Sequence, residues 1–130
     1  MIQAVLILGA VLAPFAIHEA GHWALSRIWG IPLIWRRSGW RLVWEFPPGH
    51  GAPPHVVRQI AIAGFWAEVL GAVIAIAMAG AVPVLSIPSA VYAGVTMAHL
   101  WTYAVLQDGP YDDFAILRPR CGGGGSSHDS

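Results

Sequence analysis

QIAIAGFWAEVLGAVIAIAMAGAVPVLSIPSAVYAGVTMAHLWTYAVLQ, residues 59–107, carries a single Asp, Glu, Lys or Arg side chain, Glu68. A helix that crosses a bilayer takes about 20 mostly apolar residues. The stretch therefore predicts two spans, over 59–81 and 89–107, with Pro83, Ser86 and Pro88 marking the turn between them. Toward the N-terminus, residues 1–17 hold no charged side chain. Apolar character resumes after a polar island at 18–22, through Trp23, Ala24 and Leu25, which predicts a third span over 2–28. The segment lacks the basic start of a secretory signal, exceeds the roughly 7 to 15 apolar residues of such a signal, and turns polar inside the span, so it reads as a mature helix.

The composition points the same way. Of 130 residues, 56% are hydrophobic and 11% charged, against about 25% charged in an ordinary soluble domain. The expected fold is an all-α membrane protein of three transmembrane helices, with residues 1–120 forming one membrane-embedded unit. Seven basic residues balance seven acidic ones, and without a basic surplus a nucleic-acid partner is excluded. A lone cysteine, Cys121, can form neither an intramolecular disulfide nor a thiolate cluster, so any metal site must use histidine and carboxylate. Residues 121–130, rich in Gly and Ser, read as a flexible tail.

Arginine placement predicts orientation, because cytoplasmic loops carry the basic excess. Arg27, Arg36, Arg37, Arg41 and Arg58 lie in or beside the loop joining spans one and two, Arg118 and Arg120 follow span three, and the short 81–88 connection has none. The N-terminus is expected outside, with the Arg-rich loop and the C-terminus cytoplasmic. Within that loop, residues 31–37 and 40–46 are runs rich in Trp, Val, Leu and Ile around Ser38-Gly39, which predicts a short interfacial β-hairpin over 31–46. Its interleaved Trp and Arg side chains suit a headgroup layer. The Pro- and Gly-rich residues 47–54 then end regular structure ahead of span two.

His18-Glu19-Ala20-Gly21-His22 lies inside the first span and is an HExxH pattern. In a chain of this composition it arises by chance roughly once in 160. Residues four apart share a helix face, so both imidazoles can bind one zinc ion, with Glu19 beside it as general base and acid. Three ionisable groups in one turn at membrane depth are costly, which favours a functional role over helix packing. A catalytic zinc takes three protein ligands and keeps the fourth position open. About 20 residues separate the outer end of span one from His22, and about 20 separate Pro88 from Asp108, so at about 1.5 Å per residue the two arrive at a similar depth. Asp113 and Asp112 compete for the same role, since Gly109-Pro110-Tyr111 can turn the chain back.

These residues resemble the site-2 protease type of intramembrane zinc metalloproteases, which share HExxH on one membrane helix and Asp-Gly on a later one. His18, Glu19 and His22 match fully. The segment Ala63-Gly64-Phe65-Trp66-Ala67-Glu68 keeps the glycine, but not the proline, of the family's middle-helix element. Asp108-Gly109 matches the end of the last motif, while Leu100 and Tyr103 stand at its Asn and Pro positions. The resemblance covers most of residues 1–118. It implies a zinc endopeptidase that cuts a transmembrane protein or peptide, with zinc on His18, His22 and Asp108. It also implies that the hairpin holds the unwound substrate as an added strand, in a bilayer where a helix hides its own peptide bonds.

Glu68 is expected either as a partner of a histidine ligand or an arginine, or as a neutral acid hydrogen-bonded between helices. His99, about two and a half turns before Asp108, is expected to be a packed, hydrogen-bonded histidine. His50 and His55 are expected in solvent, and Gly64, Ala67, Gly71, Ala75 and Ala79 form a helix-packing face. Two other functions fit the same residues. One is a non-catalytic membrane protein with a structural or sensing metal site. The other is an ion-pathway subunit lined by His18, Glu19, His22 and Glu68.

Overall fold

The computed structural model describes residues 1–38 and 41–106. Its elements are α1 (Ile2–Ile28), the strands β1 (Ile34–Ser38) and β2 (Arg41–Glu45), α2 (Pro54–Ala81), a 3-10 turn at Pro83–Leu85, and α3 (Ser86–Leu106). All three helices are long and apolar enough to cross a membrane. Each packs against the other two.

Helix boundaries differ from expectation where proline is involved. α2 starts at Pro54, ahead of the apolar run that marks it in the sequence. A proline at the first helical position loses nothing, because its missing N–H lies among donors the first turn leaves unpaired. Pro88 sits in the first turn of α3 instead of between helices, for the same reason. α1 stops sharply. Gly30 takes φ +66°, its N–H bonds the carbonyl of Arg27 at 3.1 Å, and that of Ile31 bonds Ser26 at 2.9 Å. This closure satisfies the last carbonyls and redirects the chain.

β1 and β2 pair antiparallel, Ile34 with Glu45 through Ser38 with Arg41. The hairpin is shorter than the 31–46 expected, because Pro32 has no N–H to give a ladder. Trp35 and Trp44 face each other across it at 3.6 Å, and Arg36 bonds Glu45 at 2.9 Å.

The bundle is inverted relative to a soluble domain. Among the described residues its buried polar side chains include His18, His22, Ser26, Glu68, Ser89 and Thr96, while Leu8, Leu12, Trp66, Val73, Ile76 and Met97 are exposed. Soluble domains seldom bury Glu and expose such residues together. In hydrocarbon the same distribution costs little outside and concentrates polar contacts between helices.

Candidate metal centre

The centre begins with helical spacing. On α1, Pro14, His18, His22 and Ser26 recur every four residues and are buried. On α2, Ile60, Gly64 and Glu68 do the same and are buried opposite them. Gly21 allows the approach, because a Cβ there would lie 2.6 Å from the carbonyl oxygen of Ala63 and 2.7 Å from the Cβ of Ala67. Gly64 makes room for the imidazoles: its Cβ would lie 2.5 Å from Nε2 of His22 and 2.8 Å from Nε2 of His18. The small-residue face of α2 therefore packs against the histidines themselves.

Each ring is oriented through Nδ1. His18 Nδ1 lies 3.1 Å from Glu68 Oε2, to which it donates when the carboxyl is ionised, and His22 Nδ1 donates to the carbonyl oxygen of Ile60 at 2.7 Å. The second assignment is forced, since a carbonyl only accepts. With Glu68 ionised and both rings neutral, the two Nε2 atoms carry lone pairs, and they face one another at 3.1 Å. Two lone pairs at this distance repel, and a proton or a metal cation between them turns the contact attractive. Two nitrogens bound tetrahedrally at 2.0–2.1 Å to one zinc stand about 3.3 Å apart, so the geometry fits a shared cation. An Nδ1–H held by a carboxylate or carbonyl, with Nε2 left to the metal, is the usual setting of ligating histidines.

His99 joins from α3. Its Nδ1 lies 3.0 and 3.1 Å from the two oxygens of Glu68, and its ring packs 4.7 Å from that of Phe15 and 5.1 Å from that of His18. The expected hydrogen-bonded histidine is thus observed, and so is the partnership between Glu68 and His18. His18, Glu68 and His99 together form a group that can hold a metal ion, each offering a ligand atom within 4.8 Å of the others. Glu68 has no solvent exposure, and its carboxylate ties all three helices at one point.

Glu19 is half-buried. Its Oε2 is buried without a hydrogen-bond partner among the described residues. Such an oxygen is costly unless something else engages it. Asp108, Asp112 and Asp113 lie outside the described residues. His50 and His55 are exposed, as expected, and Nδ1 of His50 accepts the Ala52 N–H at 2.9 Å.

The sequence reading missed His99 as a member of the centre. The signal was available: Glu68 lies 13 residues before Ala81 at the end of α2, and His99 lies 13 after Ser86 at the start of α3. Antiparallel helices place such residues at one depth. No family model matches the chain, and neither do curated proteins or solved structures.

Proposed function

We propose that this chain is an intramembrane zinc metalloprotease, hydrolysing a peptide bond in or near a transmembrane segment of a membrane protein. The observation that carries the proposal is the facing pair of Nε2 atoms at 3.1 Å, each ring anchored through Nδ1. His18 and His22 would hold the metal, with a carboxylate of the C-terminal segment as third ligand: Asp108, or alternatively Asp113 or Asp112. Zinc, when bound, supplies a Lewis acid that activates water near neutral pH. Glu19 acts as the general base and then as the acid that protonates the leaving amine, a role that suits a carboxylate oxygen with no competing partner among the described residues. Glu68 and the Ile60 carbonyl hold the imidazoles in place. The hairpin receives the unwound substrate as an added strand. The three helices cross the bilayer with the N-terminus outside and the hairpin and C-terminus cytoplasmic, following the arginine distribution.

The test is zinc per chain, by elemental mass spectrometry on detergent-purified protein, beside cleavage of a transmembrane peptide. About one zinc is expected, lost in His22→Ala and in one of the Asp→Ala variants at 108, 112 and 113. Glu19→Gln is expected to keep zinc and lose cleavage, and hydrolysis by that variant would refute the mechanism. A second reading, favoured by the His18–Glu68–His99 group, is a non-catalytic metal site held by those three residues. In that case His99→Ala loses the metal and His22→Ala retains it.

A further inference from the structure

α3 turns a line of polar residues inward: Ser89, Tyr92 and Thr96 are buried, and His99 follows one turn on. The middle two are anomalous. Helix hydroxyls commonly return to a carbonyl of the preceding turn. Ser26 does so with Trp23 at 2.8 Å, Ser86 with Pro83 at 2.8 Å and Thr102 with His99 at 2.7 Å. Thr96, 2% exposed, and Tyr92, 6% exposed, instead leave their hydroxyl oxygens buried with no hydrogen-bond partner among the described residues. Two such hydroxyls one turn apart on the same face mark a polar site that the described residues alone do not complete.

The Tyr92 hydroxyl rests against Gly71 of α2 and near Cδ1 of Ile17 of α1, in the space a Cβ of residue 71 would fill. Gly71 follows Glu68 by three residues, so the phenol meets α2 one turn along from the residue that bears the carboxylate. No direct hydrogen bond joins the phenol to the carboxylate, and one water can bridge polar groups that do not touch. Glu68 accepts from His18 and His99, and a carboxylate has about four acceptor sites, so it can take a further donor. A buried water needs two to four polar partners. Tyr92 Oη and Thr96 Oγ1, one turn apart on α3, are two groups that lack a partner among the described residues, and Glu68, which binds His99 one turn beyond Thr96, offers a third.

We propose that Tyr92 and Thr96 form a buried water-binding site between α2 and α3, which joins their hydroxyls to Glu68 through ordered water. Glu68 is then steadied from the Ser89 end of the bundle as well as by its two histidines. The site stands whether or not the chain is a protease.

Hydroxyl-radical footprinting by X-ray radiolysis in ¹⁸O-labelled water tests the site on the full-length protein in nanodiscs, since radicals formed from bound water mark adjacent side chains. Tyr92 is expected to gain labelled oxygen despite its burial. The yield should fall several-fold in Thr96→Val and recover in Thr96→Ser. No label on Tyr92 in the parent protein, or a yield indifferent to Thr96→Val, overturns the proposal. Thermal unfolding gives an independent sign. Tyr92→Phe lowers the midpoint if the hydroxyl is bonded to water, whereas an unchanged or raised midpoint overturns the site.

Discussion

Replacing Gly64 by alanine adds one methyl group, and the structure says where it goes. The new Cβ would sit 2.5 Å from Nε2 of His22 and 2.8 Å from Nε2 of His18. Ordinary contact begins near 3.4 Å, so His22 must retreat by about 0.9 Å and His18 by about 0.6 Å. Neither ring is free to do so. His22 is tied by a 2.7 Å bond to Ile60, one turn away on the same helix as the intruding methyl, and His18 is tied to Glu68, one turn away on the other side. The strain falls on the separation of α1 and α2, which Gly21 holds close. Overpacking of this kind costs about 1–3 kcal/mol. Disturbing the support of histidine ligands typically costs about 10–100-fold in metal affinity. Gly64→Ala is therefore expected to lower zinc affinity by about that factor, measured by competition with a chromophoric chelator, and to lower the unfolding midpoint. Gly94, on α3, is the control, since nothing lies within 4 Å of its would-be Cβ. There the same substitution removes a helix-interior glycine and stabilises by about 0.5–1 kcal/mol. Unchanged zinc affinity in Gly64→Ala, with Gly94→Ala behaving as stated, would refute the assignment of the metal to the Nε2 side of the two rings.

Glu68→Gln keeps the size of the side chain but replaces an acceptor of two histidine N–H groups with an amide that must flip to serve either. Zinc affinity should fall by about 10–100-fold, and an unaltered titration would show that the carboxylate does not position His18. Val43→Pro, opposite Arg36 in the hairpin, should slow cleavage of a transmembrane peptide and leave zinc content unchanged. Full turnover in that variant would sink the strand-addition role. Chelation of the metal should lower the unfolding midpoint of the parent and leave that of His22→Ala unmoved, and equal shifts in both would place the metal elsewhere.

The three helices were legible because hydrocarbon-length apolar runs admit few other readings, and α1 begins and ends where expected. The starts of α2 and α3 were not, because proline both interrupts helices and opens them, whereas α2 ends at Ala81 as expected. Only the fold shows which role Pro54 and Pro88 play. The histidine pair was visible because i and i+4 on a helix is local geometry. The convergence of Glu68 and His99 on His18 is tertiary, yet one calculation of depth from the α2–α3 turn would have found it. Gly64 was readable as a packing residue, but that its missing side chain is what admits two imidazoles depended on the register of α1 against α2. The orphaned hydroxyls of Tyr92 and Thr96 had no signal of their own, since an isolated Tyr or Thr in a span reads as ordinary helix packing.

The Trp35–Trp44 pair gives the hairpin an optical signature. Two indoles at 3.6 Å, their planes inclined by 33°, bring their transition dipoles close enough for the excited states to mix. Mixing of this kind splits a circular-dichroism band into a couplet of opposite signs. The helical amide bands overlap the indole couplet, and the difference spectrum between the parent and Trp44→Phe removes them, so a two-stranded element too small to register in secondary-structure content becomes visible through its tryptophans. If a peptide pairs with the hairpin, the twist between the indoles changes, and the couplet would report docking without a label, in real time, and apart from any cut made afterwards.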